Sequence, residues 1–427
     1  MKRRLPNVAR IGVVGVLAAS VLAACGGSSG PPSLTWFINP DNGGQIQIAK
    51  ECTAAAKGAY RITTSPLPTD ATQQRQQLVT RLSAKDSSIA LMSTDPVYVP
   101  ELAYAGFLAK ISSSDATVFS KDVVKPAVDA ATWQGKLVAA PFYANVQLLW
   151  YYKSIAAKAG LDMTKPVTWN QLIAAARKTR TTVGVQADQY EGYTVLINAL
   201  IAGAGGRIVQ NPGAQAKHVK LGLQSSAGQD AVRIIQQLAR GGVGGPAMST
   251  AEEGQSLTLF TTTSGAFRGG FLVNWPYVWA TLTPAQKKQV GFTVYPQTVA
   301  GKTSKPPFGG IDIAVGAYTS HKAQAFAALR CITSPAHEAF YMVHDGNPAA
   351  NETAYTQKSV TKAYPNGLAA MILKSLRASG PRPQSQYYGD LSSALQQSFS
   401  PPNSVTASTP KSATSFILQV LKGEKLL

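Results

Sequence analysis

The chain has 427 residues, of which 45% are hydrophobic and 14% charged, with a formal net charge of +19 and three cysteines. This composition excludes a disordered chain and a disulfide-dense miniprotein, and the length suits two ordinary domains. A basic balance first suggests nucleic acid, but Lys and Arg are scattered without a basic block or an aromatic-basic repeat, so no nucleic-acid partner is expected.

Residues 1–24 read as an export signal. Lys2, Arg3, Arg4 and Arg10 form a basic start, and Ile11 to Leu22 is an apolar run too short for a comfortable membrane span. It closes on Leu22-Ala23-Ala24-Cys25, which resembles the bacterial lipobox, whose Cys becomes lipidated and N-terminal after cleavage. An ordinary signal peptide with a chance Cys is the alternative. Residues 25–33 then read as a flexible tether. The expected location is the extracytoplasmic face of the cell membrane, held by lipid. Without the four basic residues ahead of Cys25 the net charge is still +15, which suits attraction to anionic lipid or cell-wall polymers. Only Cys52 and Cys331 then remain, an even number in an oxidising compartment, so a disulfide is expected; two unpaired buried thiols are the alternative. Such a bond requires the chain to return to its first lobe after a long excursion.

Strand and helix signals alternate from Leu34 onward. Strands are predicted at Leu34–Ile38, Tyr60–Thr64 and Ile89–Ser93, with helices at Ile46–Lys57, Thr72–Ala84 and Val97–Ala105. This rhythm predicts an α/β fold with largely parallel, doubly wound sheets flanked by helices. Ligands of such sheets bind beyond the carboxyl ends of the strands, where Asp41 or Asn42 and Asp95 fall. Asp95 also reads as a plain N-cap before a helix-starting Pro.

Lys136 to Tyr152 holds two apolar runs separated by Pro141, and reads either as a crossing between two sheets or as one bulged strand. Asn145 follows that joint. Helices are expected at Trp169–Lys178, Glu191–Ala204, Gly228–Arg240 and Gln255–Thr261, the last opened by the acids Glu252 and Glu253. The strand Phe271–Val273 leads into Asn274-Trp275-Pro276. A Trp at a strand end, before a helix-starting Pro, suits a cleft floor where its face can stack on sugar C–H groups. Cementing a helix onto the sheet is the other reading, and it suits Trp279 better. Val294-Tyr295-Pro296 mirrors the earlier break, and the strand Phe308–Val315 returns with Gly309 and Gly310, which allow close backbone approach. Arg382 stands between two prolines, where a long donor is pre-organised, although a surface Arg fits equally. The four histidines lack metal-ligand spacing, and there is no G-x-S-x-G, Walker loop or H-E-x-x-H, so neither metal nor cofactor is expected.

The lipobox, two crossings and strand-end polar groups together resemble the extracellular solute-binding lipoproteins of ABC importers, in particular the sugar-binding, maltose-binding-protein-like class. Closer still, Asn145 to Tyr151, Val185-Gln186-Ala187 with Glu191-Gly192, Gly203 to Gly206, Glu252-Glu253-Gly254, Asn274-Trp275-Pro276, Gly309-Gly310, Arg330-Cys331 and Arg382-Pro383 resemble the LpqY-type trehalose-binding lipoproteins of actinobacteria. The likeness runs through most of the mature chain. Thr261–Gly270 departs by being longer, the region between Thr281 and Phe308 by being shorter, and the loop Asn39–Gly44 differs.

The resemblance implies a two-lobed, type II periplasmic-binding-protein-like fold, with lobe 1 from residues 34–142 and 298–345 and lobe 2 from 143–297 and 346–427. It implies trehalose held by Asp95, Asn145, Glu253, Trp275, Gly310 and Arg382; Asp41 and Asn42 are further candidates by their strand-end position alone. It also implies permease subunits with a cytoplasmic ATPase as partners. Binding of another oligosaccharide, a peptide or a cell-wall fragment is the alternative. A glycoside hydrolase using Asp95 and Glu253 is the enzymatic rival, since such enzymes need paired carboxylates.

Overall fold

A computed structural model describes residues 30–427; the leader 1–24 and the lipidation candidate Cys25 lie outside the described residues. Strands β1 (Ser33–Ile38), β2 (Arg61–Pro66) and β3 (Ile89–Thr94) pair in parallel, with β1 in the middle. The helices Gly44–Ala55 and Ala71–Ser83 make the crossovers. Asp70 caps the second of these, its carboxylate accepting the Gln73 N–H at 2.8 Å. After a short hairpin, β4 (Thr132–Trp133) and β5 (Lys136–Leu137), the chain enters β6 (Ala140–Val146) and β7 (Leu148–Tyr152).

The crossing lies at Gln147, not at Pro141. Strand β6 runs straight through Pro141 and ends the first sheet, whose order is β2-β1-β3-β11-β6. As β6 is an edge strand, the missing Pro141 N–H costs no ladder bond on its open side. Its neighbour absorbs the irregularity as a register shift between Ile311 and Asp312. Gln147 is the one residue between the two sheets, and it is fully buried. Its side-chain amide donates to Gln186 at 2.8 Å, and the Gln186 amide in turn donates to the Val273 carbonyl at 2.9 Å. Buried amides need such partners, so this chain of bonds fixes where the backbone turns from one sheet to the other.

The second sheet has the order β10-β7-β9-β8, with β8 at Thr182–Gly184, β9 at Gly269–Asn274 and β10 at Val290–Thr293. The chain returns to the first sheet as β11 (Phe308–Val315), antiparallel to both β3 and β6. The sheets are therefore mixed. β7 is antiparallel to both β9 and β10, and only β8 and β9 pair in parallel in the second sheet. The periodicity in the sequence reported the βαβ part correctly, but strand direction after a crossing is set by where the chain re-enters.

Cys52 and Cys331 form a disulfide across 279 residues, joining the helices Gly44–Ala55 and Lys322–Ile332 on the first sheet. Below the crossing, Val146, Leu148 and Trp150 share one apolar core with Met342, Leu368 and Leu376. Helices Tyr388–Phe399 and Thr409–Leu421 pack instead on the core of the second sheet, through Leu391, Leu395 and Ile417. No helix among the described residues is long and apolar enough to cross a membrane.

Candidate functional site

A cavity of about 400 Å³ lies between the two sheets and takes its lining from both. Asp95 enters from the end of β3. It does both things its position suggested: it caps the turn Pro96–Tyr98 by accepting the Val97 N–H at 3.2 Å, and it faces the cavity. Both of its oxygens also accept from Nη2 of Arg382, at 2.7 and 3.0 Å.

Arg382 is only 4% exposed, and its Nη1 donates to Oε1 of Glu191 at 2.5 Å. Glu191 opens the helix Glu191–Gly203, almost every residue of which is buried. Tyr388 and Ser392 also donate to its carboxylate, at 2.5 and 2.7 Å. Burial pushes Glu191 above the usual carboxylate range, against the pull of the Arg382 guanidinium. Arg382 thus ties a first-sheet acid to a second-sheet acid. Arg382 is therefore no surface residue, and two of its nitrogens are engaged by carboxylates. Nε remains, buried and without a partner.

Trp275 follows β9 as a half-buried residue lining the cavity. Asn274, fully buried, holds the corner together: its Oδ1 accepts the Trp275 N–H at 2.8 Å, and its Nδ2 donates to the Glu253 carbonyl at 3.0 Å. The Trp275 indole N–H points at Glu253, 3.5 Å from Oε1. A Cβ on Gly309 would come within 3.1 Å of the Trp275 ring, so glycine leaves the ring its place. Gly310 has φ +129°, and a Cβ there would run into the Tyr143 carbonyl, so only glycine fits without strain. Asn145 also lines the cavity, its own Oδ1 folded back onto the Val146 N–H at 3.1 Å.

Asp95, Asn145, Glu253, Trp275, Gly310 and Arg382 therefore come together. Asp41 and Asn42 do not join them. Asp41 is taken up by its own helix, accepting the N–H groups of Gly43 at 2.9 Å and Gln45 at 2.8 Å. The Asn42 N–H donates to Asp345 at 2.7 Å. Both line a separate hollow of about 410 Å³ beside Tyr277, His344 and Asp345. From the same loop it is Asn39 that reaches the main cavity, bonded to the Tyr143 hydroxyl at 3.1 Å. No residue of the longer segment 261–270 lines it.

The sequence reasoning also passed over Asp70, Tyr190, Glu191 and Glu252, all cavity-lining. Glu191 carried a readable signal: an acid opening a helix that is apolar on nearly every side must be buried, and a buried acid needs a partner. Tyr190 carried none. Its hydroxyl is buried beside the Glu253 carboxylate, and burial first, then the charge of Glu253 and a hydrogen bond to it, push the phenol far up. Among the described residues the one group of metal-ligand side chains close enough to share an ion is Cys52, Cys331 and His337, and both sulfurs are in the disulfide.

Residues 47–339 match the bacterial extracellular solute-binding protein family. A probable ABC transporter-binding protein of Deinococcus radiodurans is 26% identical over 370 residues, covering 82% of this chain and 83% of that protein. The diacetylchitobiose binding protein DasA of Streptomyces coelicolor is 25% identical, covering 79% of this chain and 80% of that protein. Among solved structures, maltose-bound MalE3 of T. maritima superimposes with a TM-score of 0.76 at 20% identity, over 92% of this chain and all of that one. At that identity the likeness establishes the two-lobed α/β fold.

Proposed function

The chain belongs to the bacterial extracellular solute-binding proteins, and from that premise we propose that it is the substrate-binding subunit of an ABC importer that captures a disaccharide, trehalose foremost, in the cavity between its sheets. One observation carries this reading: an indole face, two glycines, an amide and several carboxylates converge on about 400 Å³, contributed from both sheets. A neutral disaccharide offers hydroxyls and ring faces. Carboxylates accept from adjacent hydroxyls, Asn145 and Nε of Arg382 donate, and Trp275 takes an apolar ring face. Because groups from both lobes contribute, a bound sugar favours the closed arrangement by its differential contacts. Permease subunits with a cytoplasmic ATPase then receive it.

The trehalose preference rests on the motif resemblance, and the anchor on Cys25. Calorimetry against a panel of disaccharides, peptides and cell-wall fragments tests the reading, with trehalose or a close disaccharide expected to bind. Binding of peptides or wall fragments and of no sugar overturns it. Trehalose incubated with the protein should release no glucose; release would favour the hydrolase built on Asp95 and Glu253. For the anchor, Cys25→Ser should abolish lipidation and leave the protein in the soluble or uncleaved fraction.

A further inference from the structure

We propose that the cavity selects sugars carrying a free, protonated amine over their neutral parents. The inference rests on the sugar-binding reading above and narrows its ligand class. The chain as a whole is strongly basic, at +19, yet five carboxylates face the cavity against a single guanidinium. Arg382 is already shared by Asp95 and Glu191. Asp70, Glu252 and Glu253 make no ion pair among the described residues. They come from opposite sides: Asp70 from the helix that follows β2, the two glutamates from the helix start that Asn274 holds against Trp275.

These acids feel one another. Although Glu252 is exposed, partial desolvation raises its carboxyl, and Glu253, Asp188 and Asp70 each push it further up. A sugar hydroxyl placed between them supplies one donor and no charge. An ammonium supplies three donors and cancels the repulsion, and its bonds to carboxylates are charge-assisted. Trp275 adds a cation-binding ring face beside Glu253.

Two further polar atoms indicate that a ligand completes this lining. Nε of Arg382 is buried without a partner in a residue only 4% exposed, and Oδ1 of the cavity-lining Asn39 is likewise buried and unpaired. The donor on one side and the acceptors on the other match a molecule bearing both hydroxyls and an amine.

The test is calorimetry on the wild-type chain with trehalose, its 2-amino-2-deoxy derivative, and the N-acetylated form of that derivative, at low and high salt. The free amine is expected to bind about tenfold tighter than the other two, the gap between charge-assisted and neutral hydrogen bonds. The advantage should shrink in high salt. In Glu252→Gln with Asp70→Asn the ratio of amine to neutral sugar should fall towards one. Glu252 is exposed and Asn is a good N-cap, so both changes keep the fold. Equal affinity of the amine and the neutral parent overturns the proposal and leaves the sugar-binding reading standing. Failure of all three sugars, with peptides or wall fragments bound instead, overturns the reading beneath it.

Discussion

Two hollows of nearly equal volume share the same bordering loops. Asn39 and Trp275 face the one of about 400 Å³, and Asp41, Asn42 and Tyr277 face the one of about 410 Å³. Size does not separate them; the state of their polar groups does. In the second hollow the Asp41 oxygens cap a helix, and Asp345 accepts from the Asn42 N–H and meets His344 at 2.9 Å. In the first, Nε of Arg382 and Oδ1 of Asn39 are buried and unmatched. An unmatched buried polar atom is costly, so a protein retains two in one place where a ligand completes them. The first hollow also has an aromatic face held open by Gly309.

Arg382→Met offers the strongest way to break this contrast. It strands Asp95 and Glu191 without their shared cation, and loss of one partner of a buried ion pair costs about 3–5 kcal/mol. His344→Ala in the second hollow removes a ring that is 42% exposed from a buried Asp345 that still accepts the Asn42 N–H, and should cost about 1–2 kcal/mol. Urea unfolding of both variants decides. Equal costs would mean that the triad is no more demanding than this half-exposed pair.

The two tryptophans four residues apart sharpen it. Trp279 is 6% exposed, packs edge-on against Phe292 and donates to the Ala363 carbonyl at 3.2 Å. Its truncation to Ala should cost about 3–5 kcal/mol of stability. Trp275→Ala should instead cost about 2 kcal/mol of disaccharide affinity, roughly thirtyfold, with a much smaller drop in melting temperature. Trp275→Ala binding as tightly as wild type while melting far lower would make it a core residue.

Tyr190→Phe is gentler. It removes a hydroxyl whose one polar neighbour in the fold is the Glu253 carboxylate, so stability should change little while sugar affinity falls by roughly three- to tenfold. A stability loss without an affinity change would show that the hydroxyl finds its partner within the protein.

How much of this was legible beforehand follows from what each signal depends on. The βαβ start, the return strand and the Trp275 corner are local patterns of period, Pro and Gly, and the chain states them outright. Of the two readings of Lys136 to Tyr152, the irregular strand holds at Pro141 and the crossing comes a few residues later, because a Pro looks like a break unless its strand is known to be an edge. Strand direction after each crossing, and so the mixed sheets, depends on re-entry geometry that no window of sequence contains. Glu191 was visible as an acid on an apolar helix, but its meeting with Arg382, 191 residues away, belongs to the tertiary fold. Asp41, Asn42 and Asn39 occupy one strand-end loop, and side-chain direction alone separates the first two from the one that lines the main cavity.

That loop also carries the smallest expected effect. Asp41 accepts from the Gly43 and Gln45 N–H groups and from the Gln45 side chain at 3.0 Å, which is the work of a helix cap. Asp41→Ala therefore removes a cap, at about 1 kcal/mol of stability. Some of that loss falls on Gln45, which is fully buried and also donates to the Asn39 carbonyl at 2.8 Å. Because Asn39 lines the main cavity, a loosened Gln45 would transmit at most a slight change in affinity. Asn39→Ala is the matched variant on the cavity side, and should weaken sugar binding while leaving the helix cap intact. Melting curves and calorimetry on the pair separate the roles. If Asp41→Ala loses affinity as strongly as Asn39→Ala, the ligand extends from one hollow into the other, and the two are a single site.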